Sequence, residues 1–236
     1  MSGNAQETCP ACSKLVGLVA NTEVWHRMHC GLQDREKLQR VHIVGGPGTG
    51  KTTLARAVGA ALGARVHELD KIAFTGPDFI ERPLDERLAD LCLIACQPMW
   101  VTEGMFVSWT EELLNRADVI VWLDHIGWSR SAWRITRRFT GNALREVQNR
   151  QGVEKVFRFN DYRRNFMQLI QAVFSTWVYF HDPSTQPSKG SETRRKTAVR
   201  LSTYQDKVIR CVTAQGVDDF LEYTRICYRT PVIRGE

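Results

Sequence analysis

Short runs of apolar residues alternate with amphipathic stretches along most of this chain. Strand-like runs lie at 41–44, 65–69, 99–102, 118–123 and 207–212. Apolar residues recur at helical spacing in the segments 51–64, 84–96, 129–140, 162–179 and 217–223. Strands that alternate with helices predict an α/β fold, in which helices cover both faces of a parallel sheet.

Two parts of the chain depart from this alternation. The segment from about 182 to 198 is rich in Pro, Ser, Thr and charged residues, which predicts a mobile loop. Residues 1–39 precede the first strand, and we interpret them as an N-terminal extension to a main domain at 40–236. Gly141 is expected to end the helix that begins near residue 129.

A glycine-rich motif follows the first predicted strand and precedes a predicted helix. It fits the pattern G-x-x-x-x-G-K-[ST] of a phosphate-binding loop, whose backbone N–H groups and helix N-terminus attract phosphate. Its residues are Gly45, Gly46, Pro47, Gly48, Thr49, Gly50, Lys51 and Thr52, with Thr53 next. In such a loop Lys51 reaches the β- and γ-phosphates of ATP, and the Thr52 hydroxyl ligates Mg²⁺. A glycine-rich turn without this function is the alternative.

Three acidic residues follow predicted strands, at the edge of a parallel sheet where ligands bind. They are Asp70, Glu103 and Asp124. Phosphoryl transfer needs an acid near magnesium and a group that orients or deprotonates the acceptor. By pattern alone Asp124 is the magnesium-associated acid, because it ends the most hydrophobic strand. A helix cap or a surface ion pair is the alternative for each of the three.

The composition is that of an ordinary globular protein, but its charge is uneven. The chain has 32 Lys and Arg against 26 Asp and Glu, a net charge of +6. Residues 126–165 alone contain ten basic and three acidic residues. Arg134, Arg137 and Arg138 lie in this segment, and arginine suits phosphate because its guanidinium is planar. The segment therefore predicts a lid over ATP, with a solvated cationic helix face as the alternative.

The order of these motifs resembles the adenylate-kinase-related branch of P-loop NTPases, and in particular the family of DNA topology modulation proteins. The resemblance rests on GGPGTGKTTLA, ELD, WVTEGMF, ADVIVWLD, WRITRRF and VDDFLEY. It implies a nucleoside-monophosphate-kinase-like sheet of five parallel strands in the order 2-3-1-4-5. It also implies an acceptor region around 70–87 and a helical lid within about 127–160.

The resemblance also indicates which of the acidic residues lies nearest Mg²⁺. In these kinases the third strand lies beside the strand of the phosphate-binding loop, which favours Glu103 over Asp124 as the acid nearest Mg²⁺, directly or through water. The family commonly has Asp-Gly where this chain has Glu103-Gly104. The catalytic residues are then expected to be Lys51, Asp70, Glu103, Arg134 and Arg138. Arg137 is expected to bind ATP together with the loop.

The N-terminal segment carries a different candidate site. Cys9 and Cys12 form a C-x₂-C pair, and with His26 and either His29 or Cys30 they make a zinc site chemically possible. A loosely docked extension without metal is the favoured alternative. The first residues do not form a secretory signal pattern, and no apolar run is long enough to span a membrane, so we expect a cytoplasmic protein.

Two functions are consistent with these features. The favoured one is an ATP- and Mg²⁺-dependent kinase that acts on a nucleotide or another small acceptor. The other is a nucleic-acid-responsive NTPase, since aromatic residues such as Trp128 and Trp133 lie among the arginines and could stack on bases. The same aromatic residues at helical spacing are also typical of a core.

Overall fold

A computed structural model of the protein describes residues 38–76, 79–149, 159–182 and 192–229. Cys9, Cys12 and nearly all of the N-terminal extension lie outside these residues, as does the middle of the predicted loop at 182–198. The zinc hypothesis therefore stays a prediction.

A five-stranded parallel sheet forms the centre of the molecule, as predicted. The strands in chain order are β1 (Arg40–Gly45), β2 (Val66–Glu68), β5 (Trp100–Gly104), β6 (Val119–Leu123) and β7 (Val208–Cys211). Their order across the sheet is β2-β5-β1-β6-β7. When these five strands alone are counted along the chain, this is the expected order 2-3-1-4-5. Two further strands, β3 (Phe74–Thr75) and β4 (Ile80–Glu81), form a small antiparallel pair.

Helices cover both faces of the sheet. They are α1 (Lys51–Leu62), α2 (Asp70–Ala73), α3 (Leu84–Ala95), α4 (Glu111–Arg116), α5 (Trp128–Asn149), α6 (Phe159–His181), α7 (Arg194–Leu201) and α8 (Ala214–Arg229). Helices α1 and α8 pack on one face, through residues such as Leu54 and Phe220. Residues such as Leu91, Leu113 and Leu201, from α3, α4 and α7, form the core on the other face.

The strand β1 lies in the middle of the sheet, and its side chains point alternately into the two cores. Val41 and Ile43 point into the core under α1, and Val44 into the opposite core. His42, on the same strand, bonds through Nδ1 to Thr102 Oγ1 at 2.8 Å, and burial lowers its pKa to about 4. The histidine is therefore neutral at physiological pH and serves the sheet.

Two predicted boundaries are wrong. The helix α5 continues past Gly141 to Asn149, because one glycine costs only about 1 kcal/mol in a long helix. The predicted loop at 182–198 contains the start of α7. This helix begins after Thr193, whose side chain accepts a hydrogen bond from the Lys196 N–H at 3.1 Å. A cap of this kind stabilises a helix start by about 1 kcal/mol. None of the helices in the described ranges is long and apolar enough to cross a membrane.

Candidate active site

The glycine-rich motif forms the loop between β1 and α1, where the sequence predicts it. Gly50 caps α1 with φ 96°, a left-handed conformation that a residue with a Cβ adopts only at a cost. The carboxyl ends of β5 and β6 flank this loop, because Val44 pairs with Gly104 and Gly45 with Leu123. The last residues of β5 and the residues that follow β6 therefore lie on either side of the loop. Glu103 belongs to β5 itself, whereas the sequence predicts that the strand ends at residue 102.

Tyr179 packs against the loop from α6. A Cβ on Gly46 would lie 2.5 Å from a carbon of the Tyr179 ring, so no larger residue fits there without a shift. The ring is buried, and burial raises the pKa of Tyr179 to about 12. A neutral phenol thus supports the phosphate-binding loop. The sequence predicts α6 but contains no signal that this residue meets Gly46, 133 positions away.

Lys51 lies inside the loop. Its Nζ donates a hydrogen bond to the Gly46 carbonyl at 2.9 Å, and Thr49 Oγ1 donates to the same oxygen at 2.8 Å. Burial lowers the pKa of Lys51, while the nearby carboxylates Glu103 and Asp70 raise it. The ammonium group therefore has an anionic environment in a site with little water.

Glu103 lies directly across from the start of α1. The Thr52 hydroxyl donates a hydrogen bond to Glu103 Oε1 at 2.7 Å, and Glu103 is only 4% exposed. Burial raises the pKa of Glu103, and the Thr52 hydrogen bond and the Lys51 charge oppose that rise. The Thr52 hydroxyl uses only one of the lone pairs of this carboxylate, so its oxygens can still coordinate a cation.

Asp70 lies close to this pair. The backbone N–H of Leu69 donates to the Glu103 carbonyl at 2.8 Å, and Leu69 also packs against Gly104. These contacts hold the start of α2 beside β5. Asp70 is exposed to solvent. The protein around its carboxyl group still removes part of its water and raises its pKa, while the charges of Lys51 and Arg138 lower it. The structure thus brings together Lys51, Thr52, Asp70 and Glu103, which the sequence singled out separately.

Asp124 has a different environment. Both of its oxygens are bonded to Arg194, at 2.6 and 2.9 Å, and Arg210 Nε donates to Oδ2 at 2.9 Å. The Asp124 side chain is 3% exposed, and Arg210 also lies over the Trp122 ring at 4.4 Å. The ion-pair alternative from the sequence fits this geometry, whereas the pattern-based assignment to magnesium does not.

The arginines of α5 divide into two groups. Arg134 donates to the Gly48 carbonyl at 3.3 Å, and Arg138 is near enough to Lys51 and Asp70 to influence their pKa values. Arg137 instead lies over the Trp133 ring at 5.3 Å, on the exposed side of the helix. The structure therefore places Arg134 and Arg138 toward the loop and gives Arg137 an aromatic partner.

Sequence patterns do not identify two residues, Ser131 and Glu192, that hold segments near the site in place. The Ser131 hydroxyl donates to the Pro47 carbonyl, so α5 holds the loop through a hydroxyl as well as through Arg134. Glu192 Oε1 accepts hydrogen bonds from the N–H groups of Val107 and Ser108, each at 3.1 Å. Both contacts join residues more than 80 positions apart, which no local pattern reveals.

The donor atoms of the site determine which ion it suits. No group of three or more His, Cys, Asp or Glu side chains within the described ranges is arranged to hold a metal ion. Thr52 and Glu103 offer one hydroxyl and one carboxylate. Mg²⁺ usually binds through one or two protein oxygens together with phosphate oxygens and water, so this pair fits Mg²⁺ bound with a nucleotide.

One family model matches part of the chain. The family model described as "ATPase family associated with various cellular activities (AAA)" matches residues 41–132, from β1 into α5. No curated protein matches the chain. The resemblance to DNA topology modulation proteins stays a prediction.

Three solved structures are similar at low identity. A gluconokinase from Sinorhizobium meliloti 1021 is 17% identical with TM-score 0.41, over 82% of this chain and 95% of that one. A shikimate kinase from Acinetobacter baumannii in complex with shikimate is 16% identical with TM-score 0.35, over 73% and 96%. A sugar kinase from Janibacter sp. HTCC2649 is 14% identical with TM-score 0.37, over 78% and 93%. Similarity this remote leaves the acceptor undefined.

Proposed function

We propose that the protein is an ATP-dependent phosphotransferase that acts on the hydroxyl group of a small acceptor. The observation that carries this proposal is the 2.7 Å hydrogen bond from Thr52 to Glu103 beside Lys51, within a phosphate-binding loop. This arrangement supplies a cation, a hydroxyl and a carboxylate at the place where the terminal phosphates of ATP would lie.

Thr52 and Glu103 would hold Mg²⁺, with Thr52 as a direct ligand and Glu103 either as a direct ligand or through water. When bound, Mg²⁺ neutralises charge on the β- and γ-phosphates. Lys51 would exchange its bond to the Gly46 carbonyl for a bond to phosphate oxygens. The loss of the bond to the carbonyl is offset, because the ammonium group then faces a negatively charged phosphate oxygen instead of a neutral one.

Asp70 would orient the acceptor hydroxyl and accept its proton. It lies close to Lys51 and Glu103, and partial loss of water around its carboxyl group raises its pKa, which strengthens it as a base. A neutral acceptor oxygen is a weak nucleophile, so removal of its proton as the bond to phosphorus forms lowers the barrier. Arg138, whose charge reaches Asp70, would neutralise the phosphoryl group in transfer.

The helix α5 would act as the lid. Ser131 and Arg134 attach it to the Pro47 and Gly48 carbonyls of the loop. Arg134 can turn from the carbonyl to a phosphate oxygen, since its guanidinium has five donors. Arg137 would reach ATP only after it leaves the Trp133 ring, so we assign it a smaller contribution than Arg134 and Arg138.

Replacement of Lys51 tests the proposed function. In K51A, Mg·ATP binding should weaken and acceptor-dependent ADP release should be lost, because no other group in the loop supplies the ammonium charge. Lys207→Ala is the matched control. Lys207 precedes β7, so it lies at the amino ends of the strands, whereas the loop lies at their carboxyl ends, and its ammonium group donates a hydrogen bond to the Asn115 carbonyl. Wild-type turnover in K51A would refute the site.

A nucleic-acid-responsive ATPase is the second candidate, and one observation favours it. Trp133 is 59% exposed, and Arg137 lies over its ring, so both could stack on an unpaired base. The test is the affinity for single-stranded DNA across a salt series, together with ATP hydrolysis. Binding that falls steeply with salt and stimulates hydrolysis would favour this candidate. An absence of binding at low salt would remove it.

A further inference from the structure

Four aromatic rings form a connected cluster at one end of the sheet. Phe74 meets Phe79 edge-on with ring centroids 6.1 Å apart, and it lies 6.2 Å from Phe106. Phe106 in turn lies 5.1 Å from Trp109. We call these four residues the aromatic cluster. Rings at these separations attract one another beyond their burial alone. Trp109 is buried and Phe74 and Phe106 pack against the core, so Phe79 is the ring that the cluster exposes to solvent.

The aromatic cluster adjoins the two acids of the site. Phe74 follows the short helix α2 that begins at Asp70, and Phe106 follows Glu103 by three positions. The N–H of Arg82 donates to the Ala73 carbonyl at 2.9 Å, which fixes the β3–β4 pair beside α2. Phe74 and Phe106 therefore follow the two acids closely along the chain, and the β3–β4 pair that carries Phe79 is attached to α2.

Phe79 has two properties that packing alone does not require. Its φ is 51°, in the left-handed region that a bulky residue rarely adopts. Its side chain is also 62% exposed, although it is large and apolar. Backbone strain of this kind costs about 1–3 kcal/mol and is concentrated at functional sites. The residue with this conformation is also the one whose apolar ring faces solvent, in contact with Phe74.

The segment that carries Phe74 and Phe79 is acidic, whereas Arg87 lies over the Trp109 ring at 5.3 Å. Residues 68–90 contain seven Asp and Glu but three Lys and Arg, a local net charge of −4. Each basic side chain is in an ion pair: Lys71 with Glu68 at 3.2 Å, Arg82 with Asp90 at 2.7 Å and Arg87 with Glu81 at 2.9 Å. An acceptor with a phosphate or carboxylate group would have to displace these partners and would meet surplus negative charge.

We propose that the acceptor is an alcohol without negative charge that presents an aromatic or flat apolar ring to the aromatic cluster, with Phe79 against that ring. This inference rests on the proposed function and specifies its substrate class. The acceptor oxygen forms a bond to the γ-phosphorus of ATP, and the bond from that phosphorus to the bridging oxygen breaks. The hydroxyl proton passes to Asp70, and the products are a phosphate monoester and ADP.

Matched pairs of alcohols test the inference on the full-length protein. Benzyl alcohol is compared with 4-(hydroxymethyl)benzoate, and adenosine with AMP, so that each pair differs in negative charge. Glycerol serves as the probe without a ring. Saturation-transfer NMR of the ring protons measures binding without ATP, and ADP release measures transfer. The uncharged ring-bearing members should bind, with signals at least threefold stronger than those of their anionic partners, and should be preferred in transfer.

Phe79→Gly tests the role of the ring, because glycine adopts the same φ without strain and Phe79 is exposed. We expect about a tenfold weaker binding of benzyl alcohol, with the KM for ATP unchanged. Leu93→Ala is the control, since Leu93 is 70% exposed on α3. Glu81→Gln releases Arg87 from its carboxylate, and it should narrow the preference for the uncharged members by several-fold.

The outcomes separate the inference from the proposed function. Equal or stronger binding of the anionic members, an absence of ring signals, or no effect of F79G would overturn the inference. None of these results would argue against ATP binding at the loop. Wild-type turnover in K51A would overturn the proposed function, whatever the alcohols do.

Discussion

Glu103 and Asp124 follow the same pattern in sequence, but their surroundings are opposite. Glu103 is the last residue but one of β5, and Asp124 directly follows β6. Both strands pair directly with β1, so the two acids lie on either side of the phosphate-binding loop. Glu103 accepts one hydrogen bond from the Thr52 hydroxyl, with Lys51 nearby. Asp124 accepts bonds from two arginines, and both of its oxygens are used.

The difference shows how partners decide what a buried carboxylate does. Asp124 is neutralised by Arg194 and Arg210, so it ties α7 and β7 to the end of β6 and has little capacity left for a ligand. Glu103 is buried with fewer partners, and this raises its pKa. A carboxylate in that state gains most from a bound cation, which is the property that a magnesium-associated acid needs.

The largest expected difference between the two acids is in turnover. Glu103→Gln keeps the size of the side chain and removes its charge, so kcat for acceptor phosphorylation should fall about 10²- to 10³-fold, as it does when a key electrostatic group is removed. Asp124→Asn should change kcat less than about threefold. Steady-state kinetics of both variants check this. A larger loss in D124N would reverse the assignment of roles.

The free energy of unfolding should be lowered more by the change at Asp124 than by the change at Glu103. In D124N two arginines keep one neutral partner, so the free energy of unfolding should fall by about 1–3 kcal/mol. Breaking a fully buried pair costs about 3–5 kcal/mol, and the value here is smaller because Arg194 and Arg210 are 46% and 38% exposed. Urea titration of the purified variant measures the difference. An unchanged midpoint would show that the ion pairs contribute nothing.

E103Q should stabilise the protein at neutral pH. The pKa of Glu103 is raised in the folded state, so its charged form weakens the fold at pH values above that pKa. Glutamine removes this cost and can still accept the Thr52 hydrogen bond. The gain should shrink as pH falls toward 4, where glutamate is protonated in both states. Thermal unfolding at several pH values checks the sign, and a loss of stability at pH 7 would contradict it.

The smallest expected effect is on the pH profile of the reaction. The pKa values of Asp70 and Glu103 are both raised by loss of water around the carboxyl groups, so kcat/KM should begin to fall at a higher pH than for ordinary carboxylates. D124N should leave this acid limb in place, since Asp124 is not among the reacting groups. A profile that is flat down to pH 4.5 would argue against a raised pKa at either acid.

Local patterns in the sequence predict much of this account. The motif predicts the loop at 45–52 and alternating apolar runs predict the strands, because both are short-range signals. The order of the strands across the sheet comes from the family resemblance instead. The strand order also places Asp70 and Glu103 at one edge of the sheet. The pairing of Asp124 is not predictable in the same way, because Arg194 and Arg210 lie 70 and 86 positions later.

Tertiary contacts decide the features that the sequence does not reveal. Tyr179 reads as one more apolar residue of α6, and only the fold places its ring on Gly46. The helix α5 continues past Gly141, because packing between α5 and α6 overrides the low helix propensity of one glycine. The strain at Phe79 likewise depends on the β3–β4 pair, which no hydrophobic pattern predicts.

The most direct test of the central claim is the effect of Mg²⁺ on ATP binding in three proteins. Isothermal titration with and without Mg²⁺ would compare the wild type with E103Q and D124N. The account predicts that Mg²⁺ tightens ATP binding in the wild type and in D124N, and that E103Q loses most of this gain. Equal loss in both variants, or full retention in E103Q, would contradict the assignment of Glu103 as the acid beside magnesium.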